Sequence, residues 1–318
     1  VSTHSMEYRQ LGASGLTVSA VGLGCNSFGR NTAAGEVPGL VSAALDAGVT
    51  LFDTADTYGA VPGLSEELLG AALGGHRDDV VVASKFGMDT RGLNGPDWGV
   101  RGSRRYIRRA VEGSLRRLGT DHLDLYQMHK PDPHTPIEET LGALHELVVE
   151  GKVRYVGSSN FAGWQVVDAD WTARTAGYTP FISAQNEYSL LNRRLEAEVV
   201  PAVEQVGAGI LPFFPLASGL LTGKYARNAP APEGTRLATR PERLERADFD
   251  AIEALQTFAR ARDLTLVQVA IGWLAAQPAV GSVISGASRP EQVRTNAAAL
   301  WDPSAEDLVE LDEITSPA

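Results

Sequence analysis

Eight short apolar runs, separated by longer amphipathic stretches, constrain this 318-residue chain more than any other feature of it. They are SAVGLG (19–24), VTLFD (49–53), VVVASK (80–85), LDLYQMH (123–129), VRYVGSS (153–159), FISAQNE (181–187), GILPFF (209–214) and GSVISG (281–286). Each is rich in β-branched residues and too short for a helix. Several are apolar on both faces, as strands of a parallel sheet are when both sides are covered. The stretches between them carry helical spacing. SRRYIRRAVEGSLRRLG (103–119) sets Ile107, Val111 and Leu115 four apart among arginines, and TPIEETLGALHELVVEG (135–151) predicts a helix with Thr135 as N-cap, Pro136 next and Gly151 as its stop. Eight strand–helix units without a sequence repeat predict a (β/α)8 TIM barrel, with a doubly wound sheet as the alternative. The opening EYRQLGASGLTVS predicts a β-hairpin that closes the barrel bottom.

No linker divides the chain, so residues 7–318 read as one α/β barrel domain. VSTHS (1–5) has no signal-peptide core and is set apart as an N-terminal extension. The longest irregular stretch, ARNAPAPEGTRLATRPE (226–242), reads as a lid or binding loop, with disordered filler as the other reading. A net charge of −11 argues against nucleic acid and anionic membranes. No run of eighteen apolar residues is present to span a bilayer. The single cysteine, Cys25, excludes an internal disulfide, suits a reducing, cytoplasmic setting and reads as buried filler. Histidines 4, 76, 122, 134 and 145 show no metal spacing, and His145 reads as a helix-surface residue. No metal is expected.

In a barrel of this kind the strand ends followed by the βα loops face the active site. Asp53 ends the second run, Lys85 the third and His129 the fourth; Ser159 and Asn160 follow the fifth, Gln185 and Asn186 the sixth. A carboxylate and an ammonium at the mouth of an apolar core need partners, and Asp53 and Lys85 on neighbouring strands can supply each other. The structural alternative is a salt bridge that only closes the barrel. Tyr58, in LFDTADTYG (51–59), adds a phenol whose ordinary pKa of roughly 10 is high for an acid at neutral pH. An adjacent ammonium favours the phenolate and lowers that value, and the carboxylate holds the ammonium charged. His129 as a neutral imidazole would hydrogen-bond to the same substrate oxygen. Protonation of a carbonyl oxygen needs a matching hydride donor; none of these side chains is one, so a cofactor is implied.

The strings GLGCNSFG, FDTADTYG, VVASKFG, LDLYQMHKPDP, RYVGSSNF, QNEYSLLNR, PLASGLLTGKY and ISGASRPEQVRTN occur in this order from about residue 7 to 312. Together they resemble the aldo-keto reductase family, in particular its bacterial and potassium-channel β-subunit-like branch. GLGCNSFG lacks the G-x-G-x-x-G spacing of a Rossmann fingerprint. The resemblance implies a barrel that binds NADP(H) in extended form, with Asp53, Tyr58, Lys85 and His129 as the catalytic tetrad and Tyr58 as general acid. It implies Ser159, Asn160 and Gln185 around the nicotinamide carboxamide, and Phe213 stacked on the ring. Pro215, Leu216, Gly219, Leu221 and Lys224 would follow the pyrophosphate. Ser288, Arg289, Gln292 and Asn296 would take the adenosine end, with Arg289 on the 2′-phosphate. Phe214 stands where the family commonly has serine, which removes a side-chain hydrogen bond there. Trp98 is placed either in the substrate pocket or over the barrel rim. The function implied is reduction of a small-molecule aldehyde or ketone by a monomer or homo-oligomer. The alternative is an NADPH-binding, redox-sensing regulatory subunit with little turnover.

Overall fold

The computed structural model describes residues 6–316, so the extension at 1–5 lies outside the described residues. Strands β1 (Tyr8–Gln10) and β2 (Thr17–Ser19) pair antiparallel as the expected hairpin. The barrel strands are β3 (Val21–Gly24), β4 (Leu51–Asp53), β5 (Val81–Phe86), β6 (Leu123–Met128), β7 (Val153–Ser159), β8 (Ser183–Gln185), β9 (Gly209–Ile210) and β10 (Val283–Gly286). All neighbours pair parallel, in the order β10-β3-β4-β5-β6-β7-β8-β9. Ile284 N donates to Pro212 O at 2.9 Å and the Phe213–Ile284 bridge joins the two ends, closing the ring. The doubly wound alternative is thereby excluded.

Two inner layers explain how the sequence positions chemistry. Leu51, Ala83, Leu125, Leu211 and Ile284 meet Leu11, Leu16 and Val18 of the hairpin in a compact apolar cluster inside the barrel bottom. A strand returns to the same face every second residue. Two positions further along, the same inward face carries Asp53, Lys85 and Gln127, with Lys85 opposite Gln127 in register. The lumen thus turns from hydrocarbon to polar within one pleat. Leu11 can seal the bottom because Gly209 and Gly281 leave it room. A Cβ at either glycine would stand 2.7 or 2.6 Å from Leu11 Cδ1.

The helices Arg104–Leu118 and Ile137–Val149 fall where spacing predicts them, with Ile107, Val111 and Leu115 buried. Thr135 is not the N-cap. Its hydroxyl donates to Asp132 Oδ2 at 2.8 Å, and Pro136 takes the cap position without a side-chain bond. Gly151, at φ +76°, does stop the helix. His145 is half-buried rather than on the surface; its Nδ1 lies 3.0 Å from Thr179 Oγ1. Residues 226–242 are held down by Leu237, which is fully buried and whose N–H donates to Tyr225 Oη at 3.3 Å.

Leu11→Ala would leave a cavity at the barrel bottom where its glycine-lined surroundings cannot collapse. The expected loss is about 2–5 kcal/mol in urea unfolding.

Candidate active site

The polar layer converges on one carboxylate. Asp53, buried at the end of β4, receives Lys85 Nζ on Oδ2 at 2.6 Å. Its Oδ1 accepts from Gln185 Nε2 at 2.8 Å and from Gln127 Nε2 at 3.3 Å. Lys85, fully buried, also donates to Thr54 O at 2.8 Å and to Tyr58 Oη at 3.4 Å. The Tyr58 ring stands edge-on to His129, centroids 5.7 Å apart. The His129 backbone is fixed on both sides: its N–H donates to Phe86 O at 2.8 Å, and its carbonyl accepts from Asn160 Nδ2 at 2.9 Å. Its buried Nδ1 has no hydrogen-bond partner among the described residues.

The charge states follow from burial and proximity. Burial works to lower Lys85, but Asp53 and the Tyr58 phenol oppose it more strongly, so the amine sits above its ordinary value and stays an ammonium. Burial presses His129 well below the usual imidazole range, helped by the Lys85 and Lys130 charges; the ring is neutral. For Tyr58 the outcome differs from the expectation. Lys85 does pull the phenol down, yet burial is the larger effect and Asp53 adds to it, so the phenol is held above its ordinary value. The lysine offsets part of the burial effect, and the proton stays on Tyr58 throughout the neutral range.

Sequence reasoning overlooked three groups here. Gln127 completes the acceptor shell of Asp53, and period-two counting from His129 would have found it on the same face. Asp56, fully buried two residues before Tyr58, is raised well above the usual carboxylate range by burial and by Glu66, against the pull of Arg117. Its Oδ2 accepts from Asn94 Nδ2 at 2.9 Å, and its N–H donates to Lys85 O, which ties the Tyr58 turn to β5. Arg236, from the 226–242 loop, lies with its guanidinium carbon 5.4 Å from the Phe214 ring centroid.

Of the residues expected around a dinucleotide, Ser159 donates to Gln185 O at 2.8 Å and to none of Asp53, Tyr58, Lys85 and His129. Asn160 is held at φ +59° on the rim, and the Gln185 amide nitrogen is engaged by Asp53. Phe213 is half-buried, its ring 5.2 Å from that of Phe214. Pro215 and Leu221 are buried, and Leu216 is half-buried. Phe214, Ala217, Ser218 and Gly219 all have positive φ. For the three non-glycine residues this conformation costs about 1–3 kcal/mol each, and such strain concentrates at ligand sites. Successive left-handed residues also gather amide dipoles into a concavity that suits an anion. Lys224 borders it, for a Cβ on Gly219 would stand 3.2 Å from its Nζ. At the far end, Ser288 and Arg289 precede the helix Pro290–Ala297. Ser288 bonds to Gln292 Oε1, Arg289 is exposed at the N-cap, and Asn296 is buried. Lys224 and Arg289 are thus two separate basic positions that could meet a dinucleotide's phosphate groups. Trp98 is not packed with the tetrad. It is 69% exposed at φ +50°, with the Arg105 guanidinium 4.6 Å over its ring.

A closed parallel barrel with a buried carboxylate–ammonium pair, a phenol and a neutral imidazole at its open end defines a class of oxidoreductase. The chain belongs to the aldo/keto reductase family, whose profile matches residues 20–316. Members of this family are oxidoreductases that use a nicotinamide dinucleotide. The chain is 38% identical to an uncharacterized oxidoreductase, YrpG, of Bacillus subtilis over 295 residues (91% of this chain, 89% of the relative). It is 37% identical to a probable voltage-gated potassium channel subunit beta of Oryza sativa over 305 residues, 93% and 91% of the two chains. It is 34% identical to the L-glyceraldehyde 3-phosphate reductase of Escherichia coli K12 over 322 residues, 97% and 92% of the two chains.

Lys85→Met should destabilise the fold by about 3–5 kcal/mol in urea at pH 7, because Asp53 is left charged and buried without its counter-ion. The double variant Lys85→Met/Asp53→Asn should recover part of that loss. The His129 imidazole has a folded pKa below its unfolded value of about 6.5, so the unfolded chain binds the proton more readily. Stability should therefore be full above pH 6.5 and fall below it, and less steeply in His129→Gln, as read from urea midpoints at pH 7.5 and 5.5.

Proposed function

We propose that the chain is an NADPH-dependent reductase of aldehydes or ketones, with Asp53, Tyr58, Lys85 and His129 as its catalytic residues. The observation that carries this reading is the buried Asp53–Lys85 pair within reach of the Tyr58 hydroxyl. When bound, the dinucleotide supplies the hydride. Tyr58 gives its proton to the carbonyl oxygen, and the Lys85 ammonium stabilises the phenolate left behind. The charge moves from one side of a fixed ammonium to the other, so little reorganisation is needed. His129, neutral and without a charge to repel Lys85, orients the carbonyl oxygen by donating a hydrogen bond. Asp53 keeps Lys85 protonated and anchored.

NADPH rather than NADH is proposed from Arg289, an exposed guanidinium at a helix start, with Ser288 beside it. A phosphate dianion there gains charge-assisted hydrogen bonds that a bare ribose hydroxyl does not. A second reading, a dinucleotide-binding regulatory subunit with little turnover, draws on the potassium channel subunit among the relatives. Catalytic oxidation of NADPH in the presence of a panel of small aldehydes separates the two: many turnovers per chain support the reductase, and tight binding without turnover supports the sensor.

Tyr58→Phe should bind NADPH as the wild type does and lose roughly 10²–10⁴-fold in turnover, measured by NADPH absorbance under conditions where chemistry limits the rate. Retention of more than about a tenth of the activity would remove Tyr58 from the role of acid. Arg289→Ala should weaken NADPH by roughly ten- to a hundredfold in fluorescence titration while leaving NADH nearly unchanged, since hydrogen bonds to charged groups are worth about 1.5–3 kcal/mol. Equal losses for both dinucleotides would show that the 2′-phosphate is held elsewhere.

A further inference from the structure

Around the turn that bears Tyr58, three buried carboxyl groups share two cations. Asp53 holds Lys85 at 2.6 Å, and Glu66, on the helix Leu64–Leu73, holds Arg117 at 2.7 Å and accepts from Ser84 Oγ. Asp56 has no cation of its own. Among the described residues its side chain is bonded to a neutral amide, Asn94 Nδ2 at 2.9 Å from Oδ2, and its Oδ1 has no partner. Asn94 is likewise buried, gives the same nitrogen to Tyr106 Oη at 3.3 Å, and leaves its own Oδ1 without a donor.

Two bonded side chains thus each present a buried acceptor that accepts nothing. Such an atom costs about 1–3 kcal/mol, and an ionised carboxylate without a counter-ion costs more. One proton removes both costs. On Asp56 Oδ1 it cancels the charge and makes that oxygen a donor, and Asn94 Oδ1, on the amide already bonded to Oδ2, is an acceptor without a donor. The surrounding groups agree. Glu66 repels a charge on Asp56, Tyr106 of the helix Arg104–Leu118 and Tyr126 of β6 are neutral, and Arg117 and Lys85 are engaged by Glu66 and Asp53.

This pair lies across a joint of the site. Asp56 N–H donates to Lys85 O at 3.2 Å. The Tyr58 hydroxyl, two residues on, receives one hydrogen bond among the described residues, from Lys85 Nζ at 3.4 Å, so the phenol is aimed by its turn. Asn94 belongs to the 87–102 loop, which follows β5 and carries Trp98. Two glycines leave room for that loop to dock. A Cβ on Gly113 would stand 2.9 Å from Asn94 Oδ1, and one on Gly63, in the segment after Tyr58, 2.8 Å from Leu93 Cδ2. We propose that Asp56 is a positioning residue for the reaction: its carboxyl carries a proton, pairs with the Asn94 amide through both oxygens, and so fastens the 87–102 loop to the turn that presents Tyr58. The inference rests on the reductase reading above and adds to it a residue that acts through Tyr58.

Infrared spectra and kinetics of the full chain test it together. At pH 7 the difference spectrum, wild type minus Asp56→Asn, should hold the carbonyl band of a protonated carboxyl; carboxylate bands alone would overturn the inference. Asp56→Asn, which sets an amide donor where the carboxyl O–H stood, should keep kcat for aldehyde reduction with NADPH within about threefold. Asp56→Leu and Asn94→Leu should each lower kcat by roughly ten- to a hundredfold, as a shift of about 1 Å in a catalytic group does, with NADPH affinity in fluorescence titration retained. The double leucine variant should match the poorer single one to within about a factor of two, because either change alone opens the pair. Losses that multiply, leucine variants as active as the wild type, or Asp56→Asn as impaired as Asp56→Leu would each overturn the inference and leave the reductase reading in place. A fall in NADPH affinity as large as the fall in kcat would mean a general loosening of the site and overturn it too. If circular dichroism shows that the leucine variants do not fold, Asp56→Ser and Asn94→Ser take their place. Reduction of none of the aldehyde panel by the wild type would remove the reductase reading, and the positioning role with it.

Discussion

A single buried ion pair organises the open end of this barrel. Lys85 and Asp53 have no solvent to share their charge with, so each is obliged to the other and to a fixed set of amides. Taking two such charges out of water is costly, and well-packed hydrocarbon would often stabilise a core as much or more. The pair therefore makes sense through what it does to its neighbours. It sets a permanent ammonium beside a phenol that burial would otherwise push further from ionisation. It also helps to keep the nearby imidazole neutral, since a second cation there would meet both burial and the Lys85 charge.

The scaffold's contribution is the abrupt change of character along the inner face. Leu51 and Asp53, Ala83 and Lys85, and Leu125 and Gln127 are each two residues apart on one strand. A slip of one residue in register would turn an inward carboxylate or ammonium towards the surrounding helices. Parallel pairing across the ring and the hydrophobic layer beneath hold that register. The loops above are then free to differ, and the 226–242 segment rests on them through Leu237 and Arg236 rather than forming part of the core.

Much of this was legible in the sequence, and the exceptions have physical causes. The strand runs were visible because both faces of a parallel strand are buried, and their polar closing residues marked the open end. The seventh run, GILPFF, gives only Gly209–Ile210 as continuous strand, because Pro212 has no N–H to donate to a ladder; pairing resumes as a bridge at Phe213. Thr135 looked like an N-cap because its type and position fit, but Asp132 three residues earlier captures its hydroxyl. His145 looked exposed from its place in a helix, yet the neighbouring segment brings Thr179 and Tyr178 against it. Asp53, Tyr58, Lys85 and His129 stood out one by one, and the fold brings the four together. The balance of forces on Tyr58 did not stand out, since it depends on how completely the folded chain excludes water. The Asp56–Asn94 contact joins two loop residues 38 positions apart, and one sequence carries no signal for such a pairing.

The hairpin at the barrel bottom has a consequence for traffic rather than for stability. With Leu11 seated between Gly209 of β9 and Gly281 just before β10, the lumen is a blind tube. On the proposed mechanism, each proton that leaves Tyr58 would have to be replaced from the same end through which substrate enters and product departs, since the apolar layer below separates the site from the barrel bottom. Re-arming the phenol and clearing the product would then be events at one doorway, and they would have to take turns.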